Sequence, residues 1–399
     1  MSIPETSDGR GNSDVRRHNL SLVLGLVHRS RGLQRSVLTQ RTGLNRSTIA
    51  ALVGELVERE LLVETEPDAS NQVGRPSPLA LPGPRAIAFA VNPEIDSITV
   101  GVVGLGANVL RRVRRSLSAS PSVADAVRVS AELIAELRAE FDEGHTIVGL
   151  GAAIPGLVRA RDGVVRLAPH LHWLDEPFSA ELEAATGLPV FAANDANLAT
   201  RAEGLFGAGR EIADLVYLNG GASGIGGGIV SGGRALTGVE GYAGEFGHTI
   251  VTSNGTHCHC GQSGCLETEV RRDRLLALTG LADADSEELE AALLAGDSAE
   301  IRAESLRQLG FLGIALRNAI NILNPSTIVL GGFLGSLYAV APDYLDELVA
   351  TQPLAASSEL VRIQRSELGS NRLIIGAAEL AFEPVLADPS SFVGGVAVG

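Results

Sequence analysis

Near the N-terminus, apolar residues recur three and four positions apart, which is the spacing of one face of an α-helix. The apolar stripe consists of Leu20, Val23, Leu24 and Val27. It predicts a helix that ends near residues 30–32. A second, short helix is predicted over Arg35–Thr42, with Gly43 as the C-terminal glycine that ends it. The segment 1–14 before the stripe is polar and rich in glycine and serine, so we predict a disordered leader there.

A third helix is predicted after Asn45, whose side-chain oxygen suits an N-cap. Its apolar face consists of Ile49, Leu52, Val53, Leu56 and Val57, and residues 61–66 follow as a strand. Helix, short turn, helix and strand form the order of a winged helix-turn-helix, a DNA-binding fold. The start of its recognition helix, which meets base edges or phosphates, holds the candidates Arg46, Ser47 and Thr48. The alternative is a three-helix domain that does not touch DNA.

The segment 67–84 is rich in proline, glycine, serine and asparagine and contains Gly74-Arg75-Pro76. A wing ending in this tripeptide would place Arg75 in a narrow minor groove, where the negative potential is strongest. The plainer interpretation is a linker turn with a solvated arginine. Behind a helix-turn-helix we favour the groove and count Arg75 as a DNA-binding candidate.

After residue 84, the apolar pattern alternates between strands and helices, which predicts an α/β body. Polar residues stand at the ends of several strands, which is also typical of an α/β architecture. The predicted strands are 86–91, 97–103, 146–154, 189–193, 215–219 and 327–330, with helices over 123–141 and within 267–320.

The chain has 399 residues, too many for one compact core, and its composition is that of a folded protein with 45% hydrophobic and 20% charged residues. We find neither a run of about 18 apolar residues nor a signal peptide, and therefore expect a cytoplasmic protein without membrane contact. The predicted divisions are the leader 1–14, a DNA-binding domain 15–82, a first lobe 83–199 and a second lobe 200–374. A C-terminal helix near 375–386 is expected to complete the first lobe.

Charge is distributed unevenly. All 32 basic residues are arginines, and the formal net charge is −15. Residues 15–54 contain seven arginines and no acidic residue, whereas residues 83–399 contain 22 arginines and 38 acidic residues. A small basic module on a large acidic body is the asymmetry of a DNA reader attached to a sensor or enzyme, although a solvated helix face is the alternative.

The three cysteines lie within eight residues, in the segment Cys258-His-Cys260-Gly-Gln-Ser-Gly-Cys265. Three thiolates this close, with glycines that permit a tight turn, suit tetrahedral Zn²⁺. His248, His257 and His259 compete as the fourth ligand, and we favour His248 because side chains adjacent to Cys258 seldom reach the same ion. Buried cysteines without metal and a reactive redox pair are the alternatives.

Two further patterns are weaker. The glycine-rich segment 219–234 suits either a phosphate-binding loop or a plain hairpin. Short polar side chains beside glycine are suited to binding a neutral sugar, because carboxylates accept protons from paired hydroxyl groups. The members of this second pattern are Asn194, Asp195, Glu245, His248 and Glu267.

These motifs resemble those of the ROK family of sugar kinases and sugar-responsive repressors. The stretch 224–229, Gly238 and the stretch 244–248 look like the family signature, and 258–267 is similar to its zinc knuckle. Further matches are 155–156, 171–173, 194–197, 324–325 and 331–332. The resemblance covers roughly residues 85–385, and the module before it matches the repressor branch.

The resemblance implies an α/β protein with a two-lobed, actin-like ATPase (ribonuclease H-like) fold and an N-terminal, all-helical winged helix-turn-helix domain. It implies one structural Zn²⁺ at His248, Cys258, Cys260 and Cys265. It also implies sugar contacts from the five polar residues named above. In the family's kinases, the aspartate that matches Asp195 is the general base for the sugar hydroxyl.

One departure points to the repressor branch. The kinases open their first lobe with Asp-x-Gly-Gly-Thr, which holds ATP phosphate and magnesium, whereas residues 90–97 here read Ala-Val-Asn-Pro-Glu-Ile-Asp-Ser. Asn92 replaces the aspartate and Pro93 removes a backbone donor. We therefore predict no catalytic residue and a DNA-binding regulator, most simply a repressor, that responds to a sugar or sugar phosphate.

There are two alternative classes of protein. One is a sugar kinase with an appended DNA-binding domain, in which Asp195 would be catalytic, and the other is an actin-like assembly protein. The second leaves the sugar residues and the zinc knuckle without a role. The expected partners are double-stranded operator DNA and a second copy of the chain, as a homodimer or dimer of dimers, because helix-turn-helix proteins read paired half-sites.

Overall fold

The computed structural model describes residues 12–65, 78–141, 143–282, 284–296 and 298–392. The first elements form a small domain of three helices and one three-stranded antiparallel sheet of order β1-β3-β2, here called the reader domain (residues 12–82). It is therefore not all-helical, because Leu79–Pro82 returns to pair with both short strands. Its elements are α1 (Asn12–Ser30), β1 (Leu33–Gln34), α2 (Arg35–Thr42), α3 (Arg46–Glu58), β2 (Leu62–Thr65) and β3 (Leu79–Pro82).

Local signals in the reader domain act as predicted. Gly43 ends α2 with φ +71°, a conformation that a side chain disfavours. The Asn45 side chain caps α3 by accepting a hydrogen bond from the Thr48 amide at 2.8 Å. Helix α1 begins at Asn12, so the last three residues of the segment predicted as a leader are helical. Arg75 lies outside the described residues.

The first lobe is built on a five-stranded mixed sheet of order β11-β7-β4-β5-β6, with a small sheet β10-β9-β8 at one end. Strand β6, rich in arginine and mostly exposed, was not predicted because it is an edge strand without an apolar face. The elements are β4 (Ala86–Pro93), β5 (Ser97–Gly104), β6 (Asn108–Ser116), α4 (Val123–Phe141), β7 (Thr146–Ile154), β8 (Leu157–Val158), β9 (Val165–Ala168), β10 (Trp173–Glu176), α5 (Phe178–Thr186) and β11 (Val190–Asn194).

The second lobe has its own five-stranded sheet, of order β14-β13-β12-β15-β16. The chain enters this lobe through α6 (Asp195–Phe206) and leaves it through residues 366–371. Its elements are β12 (Leu215–Gly221), β13 (Gly224–Ser231), β14 (Arg234–Ala235), α7 (Leu266–Glu269), α8 (Arg272–Thr279), α9 (Ser286–Ala295), α10 (Ala299–Leu323), β15 (Thr327–Gly332), α11 (Phe333–Val340), α12 (Pro342–Thr351), α13 (Ala355–Ser358) and β16 (Arg362–Arg365).

The last helix, α14 (Arg372–Ala387), returns from the second lobe and packs on the first-lobe sheet at β4 and β7. The same helix also packs on α1, so the reader domain and the first lobe share one hydrophobic core. Leu24 and Phe382, both fully buried, belong to this core. The reader domain is therefore docked on the body of the protein rather than tethered to it. Among the described residues, no helix is long and apolar enough to cross a membrane.

Candidate functional site

The junction of β11 and α6, where the chain passes from the first lobe to the second, carries two of the predicted sugar-binding residues, and the space beside it is here called the cleft. The Asn194 side chain accepts a hydrogen bond from the Asn197 amide at 3.0 Å and thereby caps α6. Its amide nitrogen donates to the carbonyl oxygen of Gly156 at 3.0 Å. These bonds hold the first turn of α6, and with it Asp195, at the carboxyl end of a first-lobe strand.

The carboxyl group of Asp195 is surrounded by protein atoms and is only partly open to the cleft. Burial raises the pKa of Asp195 to about 7, although the Ala196 amide, which donates to it at 2.8 Å, opposes the shift. The negative charges of Glu94 and Glu245 raise this pKa further. Glu94 and Glu245 therefore lie near enough to Asp195 to act on it electrostatically, and Glu94 is a neighbour that the sequence patterns did not single out.

Glu245, His248 and Glu267 form the second-lobe wall of the cleft. The Nδ1 atom of His248 lies 3.5 Å from Oε1 of Glu267. Burial raises the pKa of Glu245, with an opposing effect from His248 and a further increase from Glu267. The electrostatic coupling of Asp195 to Glu245, and of Glu245 to Glu267, indicates that these three carboxyl groups lie near one another at the junction of the lobes.

The glycine-rich segment is the β-hairpin β12–β13, with Gly221 opposite Gly224 across its turn. Its glycines admit neighbouring groups that a side chain would exclude. A Cβ atom at Gly226 would lie 2.6 Å from Cβ of Ala196, and one at Gly224 would lie 2.6 Å from Oε2 of Glu267. The hairpin therefore packs directly against the first turn of α6 and against Glu267.

The three cysteines and His248 form a compact cluster in which all four ligand atoms lie within 4.8 Å of one another. Sγ of Cys258 is 3.7 Å from Nδ1 of His248, and Sγ of Cys260 is 3.6 Å from Sγ of Cys265. Tetrahedral Zn²⁺ with Zn–S of about 2.3 Å and Zn–N of about 2.1 Å has ligand–ligand distances of about 3.6–3.8 Å. The cluster thus has the dimensions of a metal site.

Backbone hydrogen bonds hold the loop that carries these thiols. The Cys258 amide donates to the Gln262 carbonyl at 2.8 Å, and Gly264, at φ +79°, approaches Thr252 so closely that a Cβ atom would lie 1.9 Å from its carbonyl oxygen. Burial raises the pKa of the Cys258 and Cys265 thiols, so in the absence of a cation they would stay protonated. Thiolate ligands at this place require a compensating positive charge.

A second set of four groups overlaps the first and consists of His248, Cys258, His259 and Glu267. Nδ1 of His259 lies 3.3 Å from Oε1 of Glu267, and its ring meets the ring of first-lobe residue His170 edge-on at 5.4 Å. His259 therefore lies where the two lobes meet, a position that its place between two cysteines did not reveal. The Cys₃His set agrees better with the preference of Zn²⁺ for sulfur and nitrogen.

The arginines of the acid-free segment do not form one open basic face, because acidic residues from elsewhere reach them. Arg16 pairs with Glu55 at 2.6 Å, Arg35 pairs with Glu64, and Arg41 pairs with Glu211 at 3.3 Å. Arg46 is exposed at the start of α3 and has no ion pair within the described ranges. This neutralisation could not be seen from the sequence, because the acidic partners lie outside the acid-free segment. Arg46 remains available for DNA contact.

The other two α3 candidates belong partly to the cap. The Ser47 hydroxyl donates to the Asn45 side chain at 2.7 Å, and the Thr48 amide donates to the same oxygen. Ser47 is exposed and Thr48 is half-buried. Their side chains lie beside Arg46 on the first turn of α3, so these three predicted contacts share one surface.

Residues 90–97 end β4 and form the hairpin turn that leads into β5. Asn92 is buried and opposite Thr99, and the Glu94 amide donates to the Ser97 carbonyl at 2.8 Å. Asp96 accepts from the Ser97 hydroxyl at 2.9 Å and from Arg114 at 3.2 Å. Its carboxylate is therefore engaged on the outer side of the turn.

Comparison with known proteins identifies the class. The model of the ROK family matches residues 91–383, and the chain belongs to that family. The xylose repressor of Bacillus subtilis (strain 168) is 24% identical over 375 residues, which cover 93% of this chain and 97% of that protein. The glucokinase of Thermotoga maritima is 31% identical over 307 residues, covering 72% of this chain and 95% of the enzyme.

Among solved structures, the chain is similar to a ROK family transcriptional regulator described as a homologue of E. coli MLC. The TM-score is 0.73 with 24% identity, and the match covers 93% of this chain and 97% of the other. This likeness confirms the two-lobed α/β fold with an N-terminal domain. The family assignment predicted from the sequence motifs is also confirmed.

Proposed function

We propose that this protein is a transcriptional repressor that binds operator DNA through its reader domain and changes its DNA affinity when a sugar binds between the lobes. The observation that carries this proposal is the fusion of a helix-turn-helix to a two-lobed body with a polar cleft. The match to the xylose repressor extends over 93% of the chain, whereas the match to the glucokinase covers 72%. A DNA-binding protein of this kind acts in the cytoplasm, where its operator is.

The proposed effector is a neutral sugar. Glu94, Asp195, Glu245 and Glu267 surround the cleft with carboxylates, which accept hydrogen bonds from hydroxyl groups. The same charges would repel a sugar phosphate, so we favour the free sugar of the two effectors predicted from the sequence. Because several relatives are named xylose repressors, D-xylose is the first ligand to test.

For DNA binding, we propose contacts from Arg46, Ser47 and Thr48 in the major groove, and from Arg75 in the minor groove. Arg46 supports this because its guanidinium is exposed at the N-terminus of the recognition helix. The protein would bind as a homodimer, or a dimer of dimers, so that two reader domains meet paired half-sites.

For the metal, we propose one structural Zn²⁺ per chain, held by His248, Cys258, Cys260 and Cys265. Four protein ligands leave no open position for a reacting water. When bound, the ion would supply the charge that keeps the thiols ionised and would join Cys258 to the helix that carries Glu267. Its role is therefore to hold one wall of the sugar cleft in place.

We further propose that the protein does not transfer phosphate. Support comes from Asn92, which stands where the family's kinases carry their phosphate-binding aspartate, and from Pro93, which has no backbone donor and is not followed by a glycine pair. The engagement of Asp96 with Arg114 is a further support. The second candidate remains a sugar kinase with an appended reader domain, favoured by Asp195, whose raised pKa lies near neutrality, where a general base works best.

The decisive experiment combines both activities on the full-length protein. Fluorescence anisotropy would measure its affinity for the DNA upstream of its own gene, with and without D-xylose, D-glucose and N-acetylglucosamine. We expect operator binding that one sugar changes at least fivefold, and no sugar-dependent ATP hydrolysis. ATP turnover that is abolished in Asp195→Asn, together with sugar-independent DNA binding, would establish the kinase instead.

A further inference from the structure

Helix α6 connects the sugar cleft with the reader domain. It begins at Asp195, inside the cleft, and ends at Phe206 beneath α1. Its 12 residues span about 18 Å at 1.5 Å per residue. A rigid helix of this length moves at both ends when either end is displaced.

Phe206 is the point at which α6 meets the reader domain. Its ring is 3% exposed and meets the imidazole of His28 edge-on, with the ring centroids 5.2 Å apart. The guanidinium of Arg31 lies over the same ring at 5.5 Å. Both partners belong to the end of α1 or the residue after it, so the reader domain rests directly on the C-terminus of α6.

His28 is held in one orientation by two hydrogen bonds. It is 1% exposed, and its Nδ1 accepts from the Gly106 amide at 2.9 Å, which requires that the ring proton is on Nε2. Nε2 therefore donates to the carboxylate of Glu379 on α14, whose two oxygens both lie 3.1 Å away. A buried polar group held this way resists reorientation, because any other position would leave Glu379 unpaired.

Helices α6 and α14 are also fastened to each other. Arg201 of α6 pairs with Glu383 and donates to the Glu379 carbonyl oxygen at 3.3 Å. Glu203 of α6 accepts hydrogen bonds from the amides of Glu367 and Leu368, in the segment that leads to α14. Helix α6 thus contacts His28 directly through Phe206, and it is joined to α14, the helix that carries Glu379.

We propose that Phe206 and His28 are positioning residues through which sugar binding at the start of α6 changes the orientation of the reader domain. The inference rests on the proposed function and assigns its regulation to one contact. A sugar that bonds to Asp195 acts on the first turn of α6, and the contact with His28 conveys that displacement to α1. Coupling requires that the contact differ in energy between the sugar-bound and sugar-free arrangements.

The test uses full-length Phe206→Leu and His28→Gln proteins, with Phe178→Leu as the matched control. Phe178 is also buried, but its ring stacks on Trp173 with the centroids 5.3 Å apart, in a first-lobe core that contains no reader-domain residue. Three quantities are measured: sugar affinity without DNA by calorimetry, operator affinity without sugar, and the ratio of operator affinities with and without saturating D-xylose.

In the two test variants we expect the ratio of operator affinities to fall to within about threefold of one, against the 5–150-fold typical of allosteric coupling. Their sugar affinity without DNA should stay within about threefold of the wild type, and Phe178→Leu should keep the wild-type ratio. A wild-type ratio in both test variants, or loss of sugar binding in both, would overturn the proposal. A wild-type protein whose operator binding ignores sugar would contradict the proposed function itself.

Discussion

We predict that Glu203 makes the main polar contact between the two segments that connect the lobes, which are α6 and the residues that lead into α14. It is fully buried on α6, and its carboxylate accepts three backbone hydrogen bonds: from Ala208 at 2.9 Å, from Glu367 at 3.1 Å and from Leu368 at 3.0 Å. The first donor follows α6, and the other two precede α14. One side chain therefore ties both crossings together.

The contacts set the magnitude expected for two substitutions. Glu203→Ala leaves three amide groups without their acceptor, and at about 1–3 kcal/mol for each group it should lower the free energy of unfolding by about 3–9 kcal/mol in total. Glu203→Gln keeps the oxygen that serves Ala208 and Glu367 but turns an NH₂ group toward the Leu368 amide. The cost of that variant should be about 1–3 kcal/mol.

Urea titration followed by tryptophan fluorescence would measure these changes, since Trp173 is the one tryptophan in the chain and is 2% exposed in the first lobe. The matched control is Glu383→Gln, which removes the same charge from a side chain that is 56% exposed and should cost less than about 1 kcal/mol. Equal losses of unfolding free energy in Glu203→Gln and Glu383→Gln would refute the clamp.

Three further predictions concern the proposed sites. Arg46→Ala should weaken operator binding by about 1–3 kcal/mol if the arginine contacts a base. If it contacts phosphate, the slope of log binding constant against log salt concentration should fall by about one. A variant with the wild-type affinity and the wild-type slope would exclude both contacts. Cys260→Ser should lower metal content well below one Zn²⁺ per chain and should also weaken sugar binding. Normal sugar affinity in the metal-free variant would show that sugar binding does not depend on the metal. Because the folded pKa of Asp195 is about 7, above its usual value of 3.8, its favourable contribution is complete at low pH and is lost as the pH rises through 7. As the pH rises from 4 to 8, the unfolding free energy of Asp195→Asn should therefore increase by about 2–4 kcal/mol relative to that of the wild type. A difference between the two proteins that does not change with pH would show that the pKa of Asp195 is not raised.

Helix ends, helix bounds and the cysteine cluster could be predicted from the sequence because each depends on interactions within a few residues. Gly43 and Asn45 set the end of α2 and the start of α3, and the apolar spacing of Val123–Phe141 predicted α4 with its observed bounds. The three cysteines were readable as one cluster because the loop that joins them is too short to separate them. Such signals depend on backbone geometry and residue spacing, which do not change with the tertiary surroundings.

Tertiary structure alone decided how distant residues meet. The sequence showed an acid-free basic segment, but Glu55, Glu64 and Glu211 neutralise much of it across 29 to 170 residues of chain. Strand β6 exists because β5 offers it a partner, and its own residues carry no apolar periodicity. Pairings of this kind depend on where the folded body places its surfaces, and no local pattern encodes them.

The contact between α6 and the reader domain also depends on tertiary packing. His28 and Glu379 are 351 residues apart, and each alone reads as a polar residue in a helix. They meet because the last helix returns to the first lobe and completes a core shared with α1. The sequence by itself determined the elements and the chemistry each carries, whereas the packing of α1, α6 and α14 decided which of them act together, since burial of apolar surface selects among arrangements that local signals leave equal.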